Sequence, residues 1–210
     1  MQAQALYKMI TQEQQAKVCA FVVDSNYKKF DEMLGLPVYE AEKMRELFPP
    51  EQYQVCLSFG YKNMVRNREE KFWQCKKQGY TFISKNAYVY TSDIEEGCNI
   101  YPGTTIMPFV KIGKGCFIET GCTIAHHTKI GSFSFIAPGA HFCGDVKSGR
   151  NCFFGGACEV VNSCELADFC FIAAGTKVSR DLSAETAILP AASVVANEDA
   201  FSMMEKMFRK

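Results

Sequence analysis

The stretch Ile112-Gly-Lys-Gly-Cys-Phe-Ile118-Glu-Thr-Gly-Cys-Thr-Ile124-Ala-His-His-Thr-Lys-Ile130-Gly-Ser-Phe-Ser-Phe-Ile136 places an isoleucine at every sixth residue. Followed outward, the period runs from Tyr88 to Val178 in steps of six, with no residue inserted or deleted. Of the sixteen lead positions, fifteen are large and apolar, and only Ser148 breaks the series. Four places after each lead stands a small residue, such as Cys98, Thr104, Cys116, Cys122 or Thr128; Leu182 is the exception. Neither the 3.6 period of a helix nor the 2.0 period of a strand gives a strict six. A coil of short strands does. Each hexad supplies a strand and a turn, three hexads close a triangular coil, and stacked coils bury one continuous core. The lead aliphatic fills the inside, and the small residue fits a tighter inward site.

This reading accounts for the cysteines. The chain of 210 residues has eleven, none of them in a CxxC pair. Seven fall on the small inward site, where cysteine behaves as a small buried hydrophobe rather than as a zinc ligand or disulfide partner. Lys+Arg and Asp+Glu are both 23, so the formal net charge is zero, which argues against a nucleic-acid binder. No apolar run approaches the roughly 20 residues of a membrane span, and the N-terminus lacks a signal-peptide pattern. A cytoplasmic protein with no membrane partner is expected.

Three hexads per coil set residues 18 apart above one another, about 4.8 Å away. His126 then lies under Gly144, with Asn162 and Arg180 higher in the same column, and His127 lies under Asp145. A pairing of Asp145 with His127, or through it with His126, follows as an expectation. A glycine above His126 leaves room for an extended chain and offers backbone groups to it. His126 and His127, as sequence neighbours, are expected to point apart. The third histidine, His141, falls under Glu159, which reads as an exposed pair.

Outside the repeat, residues 1–84 alternate helix and strand. Helices are expected over 1–15, 40–48 (stopped by Pro49-Pro50) and 63–78. Strands are expected over 17–24 and 54–60, and Thr81–Ser84 leads into the coil. After Pro190 the repeat decays, and Asn197 caps a last amphipathic helix with Phe201, Met204 and Phe208 on one face. Three segments result: 1–84, 85–196 and 197–210.

The hexads resemble those of the hexapeptide-repeat acyltransferases, whose fold is a left-handed parallel β-helix. With Phe21-Val-Val-Asp24, Gly35-Leu-Pro-Val38, Leu57-Ser-Phe-Gly60 and Lys77-Gln-Gly-Tyr80, the whole chain is similar to the sialic-acid O-acetyltransferase and bacillosamine or perosamine N-acetyltransferase group. The resemblance implies a Rossmann-like half domain for a nucleotide sugar, then the left-handed β-helix and a C-terminal helix. The family's opening strand and glycine-rich phosphate turn have no counterpart in the sequence, which starts within the following helix. The resemblance further implies a homotrimer with acetyl-CoA as acyl donor and no metal. Thr123-Ile-Ala-His-His-Thr-Lys-Ile-Gly131 is similar to the family word whose His is the catalytic base, which puts that role on His126. His127 stands where the family has Glu or Asp. Phe135 stands where a second family His sometimes contacts the acetyl group. Gly144, Ala173 and Ala174 map to the CoA arm, Lys177 and Arg180 to CoA phosphates, and Asp24 and Gly60 to the sugar nucleotide.

The activity implied is acetyl transfer to a sugar amine or hydroxyl by direct attack in a ternary complex. Two other readings stand beside it. The chain is a non-catalytic sugar-binding or scaffold paralogue, having lost the acid at His127 and the family's terminal glycine at Ile188; or, with its three histidines, it is a γ-type carbonic anhydrase.

Overall fold

A computed structural model describes residues 2–58, 66–75 and 79–191. The hexads wind as a left-handed parallel β-helix with three flat faces. The first face stacks Phe82–Ile83, Asn99–Ile100, Phe117–Ile118, Phe135–Ile136, Phe153–Phe154, Phe171–Ile172 and Ala187–Ile188. The second stacks the strands from Tyr88–Val89 to Lys177–Val178, and the third those from Lys111–Ile112 to Glu165–Leu166. Over most of the coil the pairing register is 18, as in Thr123 with His141 and Lys129 with Lys147.

Two register changes depart from the uniform period. Val89 pairs with Ile106 and Ile83 with Ile100, a step of 17, so one residue is missing between Val89 and Ile94. The inward lead is therefore Val89; Tyr88 points outward and is 63% exposed. At the other end Leu182 bridges Leu166, a step of 16. Leu182 is thus the inward lead of a shortened hexad, which is why it is large where a small residue was due.

The small inward residues also satisfy backbone groups. Thr104 Oγ1 donates to Glu119 O (2.9 Å), Cys116 Sγ to Gly131 O (3.3 Å), Cys122 Sγ to Ala137 O (3.3 Å) and Thr128 Oγ1 to Cys143 O (3.0 Å). Each acceptor lies 15 residues on. Cys, Thr and Ser recur because they are small and carry one donor. Burial pushes the Cys152 and Cys158 thiols up to about 12 and that of Cys122 to about 11, so these thiols stay protonated.

Ser148 has a packing reason. Its coil contributes Phe142, Ser148 and Phe154 to the interior, and the two rings meet edge to face with centroids 4.7 Å apart. Two phenylalanines in place of two isoleucines leave space for only a small third residue. The Ser148 hydroxyl accepts from Gly131 N (3.3 Å).

The N-terminal segment lies against the coil. Helix α1 (Gln2–Gln12) buries Leu6 and Ile10 with Phe82, Phe117 and Phe135 on the outside of the first face. Strands β1 (Phe21–Val23), β2 (Glu32–Met33) and β3 (Leu36–Glu40) form a small sheet, β1 parallel and β2 antiparallel to β3. Of the strand expected over 54–60, residues 54–58 are described, and they carry one bridge, Val55 with Gly79. The helix expected over 40–48 is a 3-10 turn (Ala41–Lys43) running into α2 (Met44–Leu47), and α3 spans Arg66–Gln74.

Arg68 of α3 fastens this segment down. It is fully buried and donates to Gly115 O (2.5 Å), Leu57 O (2.8 Å) and Gly97 O (3.1 Å), with its guanidinium 5.2 Å from the Phe117 ring centre. Among the described residues no helix is long and apolar enough to cross a membrane. Gly60, the cap at Asn63, and the helix expected at Asn197 with Phe201, Met204 and Phe208 lie outside the described residues.

Candidate active site

Along the edge between the second and third faces, five turns stack: Met107-Pro108-Phe109, Ala125-His126-His127, Cys143-Gly144-Asp145, Val161-Asn162-Ser163 and Ser179-Arg180-Asp181. Asp145 N donates to His126 O (2.9 Å) and Ser163 N to Gly144 O (3.0 Å), so the 18-residue column holds here. The third residue of each of the four lower turns is left-handed, with φ of 66° at Phe109, 62° at His127, 59° at Asp145 and 59° at Ser163. The same conformation recurs at Phe133, Asn151 and Phe169 on another edge, so it belongs to the coil and not to the site alone.

The two histidine rings meet. His126 Nδ1 lies 3.1 Å from His127 Nδ1, and the planes are nearly perpendicular. The expectation that the neighbours point apart is therefore wrong. The left-handed backbone at His127 swings its ring back toward that of His126. On its other side the His127 ring stacks on Phe109, with centroids 4.8 Å apart and planes at 29°.

Gly144 sits against His126. A Cβ there would stand 2.7 Å from His126 Cε1 and 3.0 Å from Nε2. The room that the glycine provides is thus taken by the imidazole itself rather than by an open channel. Gly144 is buried, and its N–H donates to no carbonyl among the described residues.

Asp145 does not pair with either histidine. Its carboxylate accepts from Ser163 Oγ (3.4 Å) on the turn above, while His127 leans onto Phe109 on the turn below. The two side chains leave successive turns in opposite directions along the column. Phe109 was missed by the sequence reading, although the 18-residue arithmetic that pairs His126 with Gly144 also puts Phe109 directly under His127.

The remaining residues scatter. Arg180 is exposed on the His126 edge, two turns above Gly144. Ala173 and Ala174 lie on a different edge, between the first and second faces. Lys177 points out from the second face and pairs with Glu159 (3.2 Å), the residue stacked over His141. Asp24, at the end of β1, is held by Lys71 of α3. Phe135 lies in the buried stack of rings on the first face, 5.3 Å from Phe117. Among the described residues no three His, Cys, Asp or Glu side chains gather as a metal site.

The bacterial transferase hexapeptide family (six repeats) matches residues 91–126. No curated protein matches the sequence. Among solved structures, the acetyltransferase domain of PglB from Neisseria gonorrhoeae in complex with acetyl coenzyme A superposes with a TM-score of 0.75 at 19% identity, covering 88% of this chain and 91% of that one. WeeI from Acinetobacter baumannii gives 0.76 at 19% identity, covering 88% and 90%. A variant of GDP-perosamine N-acetyl transferase from Caulobacter crescentus, in complex with CoA and GDP-perosamine, gives 0.73 at 21% identity, covering 86% and 87%. The shared fold extends over the N-terminal segment as well as the coil.

Proposed function

We propose that the chain is an acetyltransferase that moves an acetyl group from acetyl-CoA to an amine or hydroxyl of a nucleotide-linked sugar. The observation that carries this reading is the His126 imidazole, oriented by His127 and seated on the bare backbone of Gly144. The likeness to proteins solved with acetyl coenzyme A, and with CoA and GDP-perosamine, supports the same substrate classes here.

The chemistry follows from the groups present. His126 Nε2 takes the proton of the acceptor amine or hydroxyl as that atom attacks the thioester carbonyl. The oxyanion that forms needs a donor, and the N–H of Gly144, which has no carbonyl partner among the described residues, is assigned to it. As the intermediate collapses, the C–S bond breaks and the CoA thiolate takes the proton back from His126. No covalent enzyme intermediate is required. Residues 1–84 are assigned to the acceptor, with Asp24 and Gly60 as its contacts, and residues 85–196 to acyl transfer.

The working unit is a homotrimer. Tyr88, Tyr90, Met107 and Phe109 are exposed beside the histidine edge, and the first three border a shallow groove of about 420 Å³ with Thr105 and Pro108. Within one chain the Ala173–Ala174 edge and the His126 edge lie apart, so the CoA contacts at Ala173 and Ala174 are assigned to a second copy of the chain.

The test is binding followed by turnover. Calorimetry with acetyl-CoA should show saturable heat, and sugar nucleotides bearing a free amine should be acetylated, as read by mass. His126→Ala should lower the rate about 10²–10⁴-fold with acetyl-CoA binding retained. No heat at millimolar acetyl-CoA would instead favour the non-catalytic scaffold.

A further inference from the structure

We infer that His127 is a positioning residue whose Nδ1 lone pair accepts the Nδ1–H of His126, and that Phe109 holds His127 in place to do so. The inference rests on the reading of His126 as the base and adds the group that sets its tautomer.

Two Nδ1 atoms 3.1 Å apart form a hydrogen bond only if one carries a proton and the other does not. There are two ways to arrange this. If His127 is the donor, His126 accepts at Nδ1 and carries its own proton on Nε2. That nitrogen then has no lone pair for the acceptor's proton, and protonation at Nδ1 breaks the contact. If His126 is the donor, its Nε2 lone pair is free. When Nε2 takes a proton, the Nδ1–H bond to His127 survives unchanged, and it survives again when the proton leaves. Only the second arrangement persists through a proton transfer and back. In it a neutral imidazole does the orienting work for which a carboxylate is the usual acceptor.

Phe109 supplies the rigidity. His127 is exposed, and an exposed imidazole turns about its side-chain bonds unless something holds it. The ring stacked at 4.8 Å and 29° covers one face of His127 and fixes the plane in which its Nδ1 points. Asp145, the nearest carboxylate along the column, is turned to Ser163 and does not compete for the Nδ1–H of His126.

The experiment combines imidazole ¹⁵N spectroscopy of the whole protein with steady-state kinetics. In the wild type His126 should show the Nδ1–H tautomer. In His127→Ala it should shift toward the Nε2–H form, with kcat reduced about tenfold or more and KM for acetyl-CoA unchanged. His127→Asn, which restores an acceptor, should recover part of both signals. Phe109→Leu should mix the two tautomers and lower kcat, while Phe109→Tyr should behave as wild type. An unchanged His126 tautomer in His127→Ala, or wild-type kcat and spectrum in Phe109→Leu, overturns the inference. The spectra report the pair even if His126→Ala keeps full activity, so a failure of the catalytic reading is told apart from a failure of the pairing.

Discussion

Replacing Gly144 by alanine tests the site with a single methyl group. Gly144 is not in the left-handed region, so alanine fits its backbone without strain. The methyl carbon would nevertheless stand 2.7 Å from His126 Cε1 and 3.0 Å from Nε2. Carbon atoms in contact rest about 3.5–4.0 Å apart, so the imidazole must retreat by about 1 Å. The retreat disturbs the 3.1 Å contact with His127 Nδ1 and moves Nε2 away from the acceptor. A misplacement of this size in a reacting group lowers the rate about 10²-fold, equivalent to about 2.7 kcal/mol of barrier. Initial rates should therefore show kcat for Gly144→Ala near 1% of wild type. The midpoint of thermal unfolding should hardly move, because the ring relaxes into solvent rather than into the core. A kcat within threefold of wild type would refute the reasoning, as would a structure of the variant with the ring in its original place.

Three further outcomes follow from the packing. Ser148→Ile should destabilise the coil by about 1–3 kcal/mol in denaturant titrations, because Phe142 and Phe154 already fill that layer; adding Phe142→Ile should recover much of the loss. Arg68→Leu strips the buried Gly115 and Gly97 carbonyls of the donor that Arg68 gives them, each worth about 1–3 kcal/mol when left unpaired, while Leu57 O keeps Asn99 Nδ2 (2.6 Å). Its unfolding midpoint should fall by roughly 10 °C, at about 2–4 °C per kcal/mol for a chain of this size. The alkaline limb of stability should be steep. Cys122, Cys152 and Cys158 titrate at about 11 to 12 when folded, above the ordinary thiol value. The unfolded chain therefore loses these protons first, and stability falls as pH rises from about 9 toward 12, by about 1.4 kcal/mol per pH unit for each thiol. Urea midpoints measured across that range check it, and a pH-independent midpoint contradicts the burial of these thiols.

The coil was readable from the residues because its period is enforced by volume at every step. Between Ile94 and Val178 each lead fills the equivalent inward position on one of the three faces, so an error of one residue would turn a row of isoleucines out to solvent. The period misled at its ends, where that pressure relaxes. Tyr88 is large and apolar and keeps the count of six, yet the inward residue is Val89. Leu182 looked like a failed small position because two residues are dropped before it. Ser148 looked like a defect while leads were compared along the chain; it makes sense once the three leads of one coil are summed as a single volume. The N-terminal segment was less readable, since its strands are short and its fastening depends on Arg68. Nothing in the charged run Arg66-Asn-Arg-Glu-Glu-Lys71 marks one arginine as the buried one.

The histidine edge illustrates which part of a site a linear period can supply. The 18-residue arithmetic gives neighbours along a column: His126 with Gly144, His127 with Phe109 and Asp145. It does not give the direction in which a side chain leaves its turn. Chemical habit paired the histidine with the carboxylate above it, and the geometry pairs it with the aromatic ring below. The difference bears on function. With Asp145 as partner, His127 would be a relay to a charge, and losing the family's acid would be repaired one coil higher. With Phe109 as partner, no charge is recruited. Under the proposed function, the pair orients a neutral base through a neutral acceptor and forgoes the electrostatic support that a carboxylate gives to the protonated ring. A base so placed depends on preorganisation, on the bare backbone of Gly144 and the stacked ring of Phe109 holding two exposed imidazoles in one arrangement. Under the proposed function, the missing acid at His127 is weak ground for reading the chain as a spent enzyme, because a base at His126 oriented in this way needs no carboxylate.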